Sequence, residues 1–157
     1  MSTSKGVVGT NVVTQVGFIV KDIEATRVKW AEFLGMEQPP VIGCGSYDVT
    51  HTVYKGAPAP EANAKLCFFK VGPTLDIELI EPNDAPSTWR EFLDTHGEGV
   101  HHLAFQVKGM KDAVKSCEAF GMKLEMAGEY GDASGRYAYL DANEQLKVLI
   151  ELLESDR

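Results

Sequence analysis

Cysteine is scarce in this chain and wrongly spaced for a cysteine-built site. Cys44, Cys67 and Cys117 are odd in number, and there is no CxxC pair and no Cys/His spacing of a zinc site. This excludes a disulfide scaffold and a zinc knot, and three free thiols in a reducing compartment are expected. Basic charge is also short. Lys plus Arg number 15 against 23 Asp plus Glu, a net charge of −8. Such a surface repels phosphate backbones and excludes a nucleic-acid partner. It does not exclude an anionic small molecule, because a bound divalent cation inverts the local field. Long apolar runs are missing too, and none approaches the roughly 20 residues of a membrane span. The opening MSTSKGVVGTN has no basic stretch leading into an apolar one. No secretory signal and a cytoplasmic location are therefore expected.

What is present is a duplication. TQVGFIVKD (Thr14–Asp22) is matched by HHLAFQVKG (His101–Gly109), and IELIE (Ile77–Glu81) by IELLE (Ile150–Glu154). Gln15 to His102 is 87 positions, Gly35 to Gly121 is 86, and Glu78 to Glu151 is 73. Order is kept and loops absorb the drift, as the longer GAPAPEAN stretch (Gly56–Asn63) of the first copy would require.

The patterning of each copy reads as βαβββ. In the first, Val12–Val20 alternates as a strand, and Asp22 caps a helix over Ile23–Leu34 that Gly35 ends. Ser46–Tyr54 reads as the next strand, and Lys65–Val71 and Leu75–Ile80 form a hairpin at Gly72-Pro73. Ser87 caps a linker helix over about 87–95. In the second, His101–Val107 is a strand, Lys111–Phe120 a helix, and Lys123–Tyr130, Arg136–Asp141 and Leu146–Leu153 are strands. The expectation is one α+β domain over 1–157. Two pseudo-symmetric βαβββ modules (about 12–81 and 100–154) form a curved mixed sheet around a metal cleft.

Alternate strand residues share a face. Gln15, Gly17 and Ile19 lie together, and so do His102, Ala104 and Gln106; small Gly17 and Ala104 leave room beside the two polar side chains. Glu78 and Glu151 each stand between aliphatics, where an inward carboxylate is costly unless paired. A divalent cation would remove that cost. Any one of these residues alone reads as an ordinary surface or core position; four ligand-capable side chains at equivalent places in two copies do not. Gln15, Glu78, His102 and Glu151 give a mixed N/O site of the kind that suits Zn, Ni, Co, Mn or Fe.

At QVGFIVKDIEATRVKWAEFLGM, LDIELIEP, GEGVHHLAFQVKGM and LKVLIELLE the chain resembles the vicinal oxygen chelate superfamily, over about Val12 to Leu153. That superfamily includes glyoxalase I, methylmalonyl-CoA epimerase, extradiol dioxygenases and bleomycin-resistance proteins. The resemblance implies paired βαβββ modules and one divalent metal ion (Zn, Ni, Co or Mn) on Gln15, Glu78, His102 and Glu151. This ligand set looks like the glyoxalase I branch, whereas epimerases usually have His at the position of Gln15. The glutathione anchors of that branch are absent: Ile19, Pro82 and Glu98 stand where Arg, Asn and Arg are expected. Length, the ELIEP motif and the GEGVHHLAF stretch look closer to the epimerases, although KLCFFKV offers no second acidic base. Asp48, His51 or Tyr54 could take that part.

The chemistry implied is proton abstraction next to a carbonyl of a small chelating substrate, by an isomerase, epimerase or lyase. Glu151 is the first choice of base and Glu78 the second. Arg136 and Tyr139 are candidate substrate-binding residues. His101 is expected on the opposite face from His102, as a structural residue. A homodimer is implied by resemblance. The alternatives are glyoxalase I (lactoylglutathione lyase) activity, a non-catalytic binding protein of the bleomycin-resistance type, and an Fe(II) dioxygenase.

Overall fold

The structure is a computed structural model that describes residues 6–157. The MSTSK part of the N-terminal reading lies outside these residues. In chain order the elements are β1 (Gln15–Ile19), α1 (Ile23–Leu34), β2 (Ile42–Gly43), α2 (Tyr47–Thr50), β3 (Val53–Tyr54), β4 (Ala57–Pro58), β5 (Ala64–Val71) and β6 (Leu75–Pro82). After these come α3 (Thr88–His96), β7 (Gly99–Gln106), α4 (Met110–Ala119), β8 (Lys123–Tyr130), β9 (Gly135–Ala142) and β10 (Val148–Ser155). The strands make one curled mixed sheet in the order β2-β5-β6-β1-β7-β10-β9-β8-β3-β4.

The duplication is visible in the register. β1 runs antiparallel to β7, with Gln15 opposite Ala104 and Gly17 opposite His102. β6 pairs parallel to β1 with Glu78 beside Gly17, and β10 pairs parallel to β7 with Glu151 beside Ala104. The small position of each copy therefore lies between the polar residue of the other copy and the carboxylate of its own.

Strand alternation divides the apolar residues between two sides. On the convex side, Val20, Cys67, Phe69 and Leu79 pack under α1, and Ala138, Leu140, Ile150 and Leu152 pack under α4. On the concave side, Ile19, Ile80, Met126 and Tyr139 pack around Trp89 of α3. The second glutamate of each IEL(I/L)E motif falls on the convex side and meets a helix start. Glu81 accepts from the Ile23 amide at 3.0 Å, and Glu154 from the Gly109 amide at 2.6 Å and the Met110 amide at 3.3 Å. A carboxylate there satisfies orphan amides and the helix dipole. Asp22 caps α1 through the Ala25 amide, and Gly35 ends it at φ 66°.

One expectation is corrected. Ser46–Tyr54 is not the second strand of the first module. That strand is the two-residue β2, paired to β5. Residues 46–54 instead form α2 and then β3, which pairs with β8 of the second module at the far end of the sheet. The β-branched and aromatic residues of the segment suit a strand locally, but His51 takes φ 46° and breaks it. Residues 44–63 thus cross from one end of the curled sheet to the other. Tyr54 donates to Glu91 of α3, and Lys55 pairs with the same carboxylate at 3.0 Å, which fixes the crossing to the linker helix. Among the described residues no helix is long and apolar enough to cross a membrane.

Candidate metal centre

The four predicted ligands converge on the concave face, and none is more than 7% exposed. His102 Nε2 lies 2.7 Å from Gln15 Oε1, 3.2 Å from Glu151 Oε1 and 3.5 Å from Glu78 Oε1. The ligand atoms of Glu78, His102 and Glu151 all lie within 4.8 Å of one another. Around an ion with metal–ligand distances of about 2.1 Å, neighbouring donors stand about 3 Å apart. The donors therefore fit a divalent ion in spacing and in chemistry, and two carboxylates match its charge.

Gln15 reads the same geometry in either amide orientation. With Oε1 inward, four acceptors face one another, which a cation would reconcile. Turned by half a rotation, the amide nitrogen would donate to Glu151 at 2.9 Å and Glu78 at 3.0 Å. The side chain can thus satisfy the carboxylates itself or yield its oxygen to an ion.

Burial is the main reason the Glu78 carboxyl is pushed well above its ordinary value, with the negative charges of Glu151 and then Asp76 adding to it. The same burial, followed by the charges of Glu151 and Glu78, raises the Tyr139 phenol, so Tyr139 is neutral here. The Cys44 thiol on the cleft wall is pushed up to about 12, mainly by burial, and is no nucleophile at neutral pH.

Gly17 and Ala104 have a sharper role than leaving room. A Cβ on Gly17 would stand 2.5 Å from His102 Nδ1 and 2.6 Å from Nε2. The His102 ring lies flat over the Gly17 backbone, and only glycine admits it.

His101 departs from its expected place. The β1–β7 register shifts between Gly17 and Phe18, whose partners are His102 and Val100, so His101 is the extra residue of a bulge. A bulge re-aims side chains. His101 Nδ1 meets His102 Nδ1 at 2.9 Å, and His101 Nε2 meets Thr88 Oγ1 at 3.2 Å. Burial first, and His102 second, hold His101 well below the usual histidine range, so it is neutral. If His101 donates to Thr88 and accepts from His102, the lone pair of His102 Nε2 is turned to the carboxylates. Orienting a ligand histidine in this way is a common duty of the residue behind it.

The two substrate candidates separate. Tyr139 lies on the concave side, edge-on to His102 with ring centroids 5.1 Å apart, and its hydroxyl accepts from Trp89 Nε1 at 3.1 Å. Arg136 lies on the other face, as its odd spacing from Tyr139 dictates. It holds Glu154, the carboxylate that caps α4, at 2.8 Å and Asp156 at 2.7 Å. Lys65 does the same to Glu81 in the first module, at 3.6 Å. His51 meets Glu129 at 3.2 Å and Tyr54 donates to Glu91, so both of these second-base candidates are engaged away from Glu78, His102 and Glu151.

Beside the ligands lies a cleft of about 490 Å³, reached by Gln15, Glu78 and Glu151 and walled by Phe68, Trp89 and Tyr137 among others. Its roof is the 44–63 crossing, through Cys44, Gly45 and Thr50. Sequence reading missed this roof. Trp89 and Tyr137 also line the cleft, and the alternation of Tyr137 with Tyr139 puts the two rings on one face.

Comparison with known proteins agrees with this picture. A methylmalonyl-CoA epimerase from Mycobacterium tuberculosis superposes with a TM-score of 0.67 at 22% identity, over 98% of this chain and 93% of that one. A Streptomyces coelicolor methylmalonyl-CoA epimerase, solved with 2-nitronate-propionyl-CoA, gives 0.62 at 19% identity, over 92% and 97%. At these identities the likeness establishes the fold. The uncharacterized protein YqjC of Bacillus subtilis (strain 168) is 30% identical over 95 residues, 60% of this chain and 67% of that protein. Residues 14–139, which take in the first copy of the repeat and the second as far as β9, match the family described as the Glyoxalase/Bleomycin resistance protein/Dioxygenase superfamily. With its paired modules and the concave face between them, the chain belongs to that superfamily.

Proposed function

We propose that this chain is a metal-dependent isomerase or epimerase that moves a proton next to a carbonyl of a small chelating substrate. The observation that carries the reading is the convergence of Glu78 and Glu151 with His102 and Gln15, buried and open to a cleft. One divalent ion (Zn, Ni, Co or Mn) held by these four side chains would supply Lewis-acid polarisation of the substrate oxygens.

The remaining work falls to the protein. Glu151 accepts the proton from the carbon beside the carbonyl, the C–H electron pair passes into that carbonyl, and the carboxylic acid so formed returns the proton. Glu78 stands on the other flank of the β1–β7 pair. Return from Glu151 at a neighbouring atom gives an isomer; return from Glu78 on the opposite face gives an epimer. Tyr139 and Trp89 hold the wall against the His102 ring. The epimerase-like fold of the solved relatives supports this reading, and the carboxylate pair supports it independently. One domain acting as a cytoplasmic homodimer completes it, supported by the family resemblance; light scattering on the purified chain tests the dimer.

The test is exchange of solvent deuterium into α-hydroxy ketones and 2-substituted acyl thioesters by ion-loaded protein, with elemental analysis giving about one ion per chain. Glu151→Gln is expected to slow exchange by about 10²–10⁴-fold, the worth of a positioned base. A variant that keeps both its ion and full exchange would refute the assignment.

A further inference from the structure

The cleft is unusual in the charge of its walls. Among the described residues lining it there is no Lys, Arg or His; the charged ones are Glu78, Glu151 and Glu129. A divalent ion would neutralise Glu78 and Glu151, while the Glu129 carboxylate shares the face of its cross-strand partner Arg136 and meets His51 at 3.2 Å. The cations next in sequence to wall residues, Arg136 and Lys65, face the other side, held by Glu154 and Asp156 and by Glu81.

The aromatic walls present rings rather than free hydroxyls. Tyr139 accepts from Trp89, Tyr130 donates to the Glu154 carbonyl at 3.3 Å, and the Tyr137 hydroxyl lies against Gly128, where a Cβ would stand 2.8 Å from it. Ile42, Leu66, Phe68 and Leu153 complete an apolar surface. Apolar and aromatic walls with a few convergent polar groups at one end select a ligand by shape and desolvation. An anionic group on the ligand body would enter without a partner and be disfavoured by about a hundredfold or more.

We infer that the substrate is a compact molecule with a neutral, apolar or aromatic body, whose vicinal oxygens are its only charged or strongly polar end. A phosphate, a second carboxylate or a peptide-like tail has no seat in this cleft. The inference rests on the metal-centred reading above for the chelating end alone; the polarity of the body is read from the walls.

Three probes share one chelating head: tropolone, its isopropyl derivative and its carboxylate derivative. Their affinities for full-length protein, loaded with Zn²⁺ and shown by elemental analysis to hold it, are measured by calorimetry. The isopropyl compound should bind more tightly than tropolone, and the carboxylate about a hundredfold more weakly than the isopropyl compound. Ile42→Lys, at a half-exposed position on the cleft wall, should recover at least severalfold of the carboxylate's affinity. A carboxylate that binds as tightly as the isopropyl compound, methylmalonyl-CoA or S-lactoylglutathione that saturates at lower concentration, or a loaded protein that takes none of the three, would overturn the inference. If the chain takes up no ion, the metal-centred reading fails by itself. The walls are then tested on the metal-free chain with 4-isopropylphenol and 4-isopropylbenzoate. Preference for the phenol sustains the inference and preference for the benzoate overturns it.

Discussion

Replacing Gly17 with alanine adds one methyl group, at the most sensitive point of the fold. The new Cβ would lie 2.5 Å from His102 Nδ1 and 2.6 Å from Nε2. Ordinary contact needs about 3.5 Å or more, so ring and backbone must part by about 1 Å. The ring has nowhere to go at no cost. His102 is fully buried, with Gln15 at 2.7 Å on one nitrogen and His101 at 2.9 Å on the other. Overpacking of this kind costs about 1–3 kcal/mol. For a chain of 157 residues, where 1 kcal/mol moves Tm by about 2–4 °C, a fall of about 2–12 °C follows. The larger effect is on the ion. Coordination tolerates about 0.2 Å of error, so a 1 Å displacement of Nε2 removes His102 as a ligand and lowers affinity by about 100-fold or more. Chelator competition for Zn²⁺ together with thermal melts measures both. Gly43→Ala is the control, because a Cβ there meets nothing within 4 Å. A Gly17→Ala protein that melts within a degree of wild type and holds Zn²⁺ as tightly would show that Gly17 does not seat the His102 ring.

Three further outcomes are expected. Burial and Glu151 raise the Glu78 carboxyl, so the folded chelator-treated protein keeps a proton that the unfolded chain has already released, and its stability falls as pH rises between the ordinary carboxylate value and the raised one. Glu78→Gln removes this slope, and its Tm relative to wild type should rise from about pH 5 to about pH 8; a pH-independent difference would refute the burial argument. His101→Phe should weaken Zn²⁺ binding by about 10–100-fold while leaving the fold intact by circular dichroism, and His101→Asn, whose Oδ1 can stand in for Nδ1, should recover part of the loss. Arg136→Leu should lower Tm slightly and leave Zn²⁺ and tropolone binding unchanged, because its partners are Glu154 and Asp156; loss of ligand binding would return Arg136 to the cleft.

The convergence of the four side chains was legible because their motif is written twice. A carboxylate between aliphatics means little once, but Glu78 and Glu151 stand 73 positions apart at the same place in two copies of one motif. The register then puts them beside Gly17 and Ala104. What was not legible lies where the copies differ. Residues 46–54 carry strand-forming side chains, and nothing local tells β3 to join β8 rather than β5; that choice is made by tertiary packing. His101 was misplaced because alternation holds only for an unbulged strand, and the extra residue between Val100 and His102 is a feature of pairing with β1. Arg136 is the opposite case. Its odd spacing from Tyr139 already separated the two faces, and strict period-two reasoning excludes it from the cleft.

These differences divide the labour of the site. If the copies were identical, the β1–β7 axis would face two equal ligands across two equal small residues. Instead Gly17 gives up even its Cβ so that a ring can lie on it, whereas Ala104 keeps its methyl opposite the slimmer Gln15. The second copy adds the bulge that brings His101 behind His102. The first copy adds the 44–63 crossing, which spans to β8 and roofs the cleft beside Glu78 and Glu151. The shared part of the repeat therefore sets where an ion can sit. The second copy's insertion sets how firmly its histidine is aimed, and the first copy's insertion sets what can lie beside it. Changes in the crossing should then alter which ligands bind and spare ion affinity, and changes in the bulge should do the reverse.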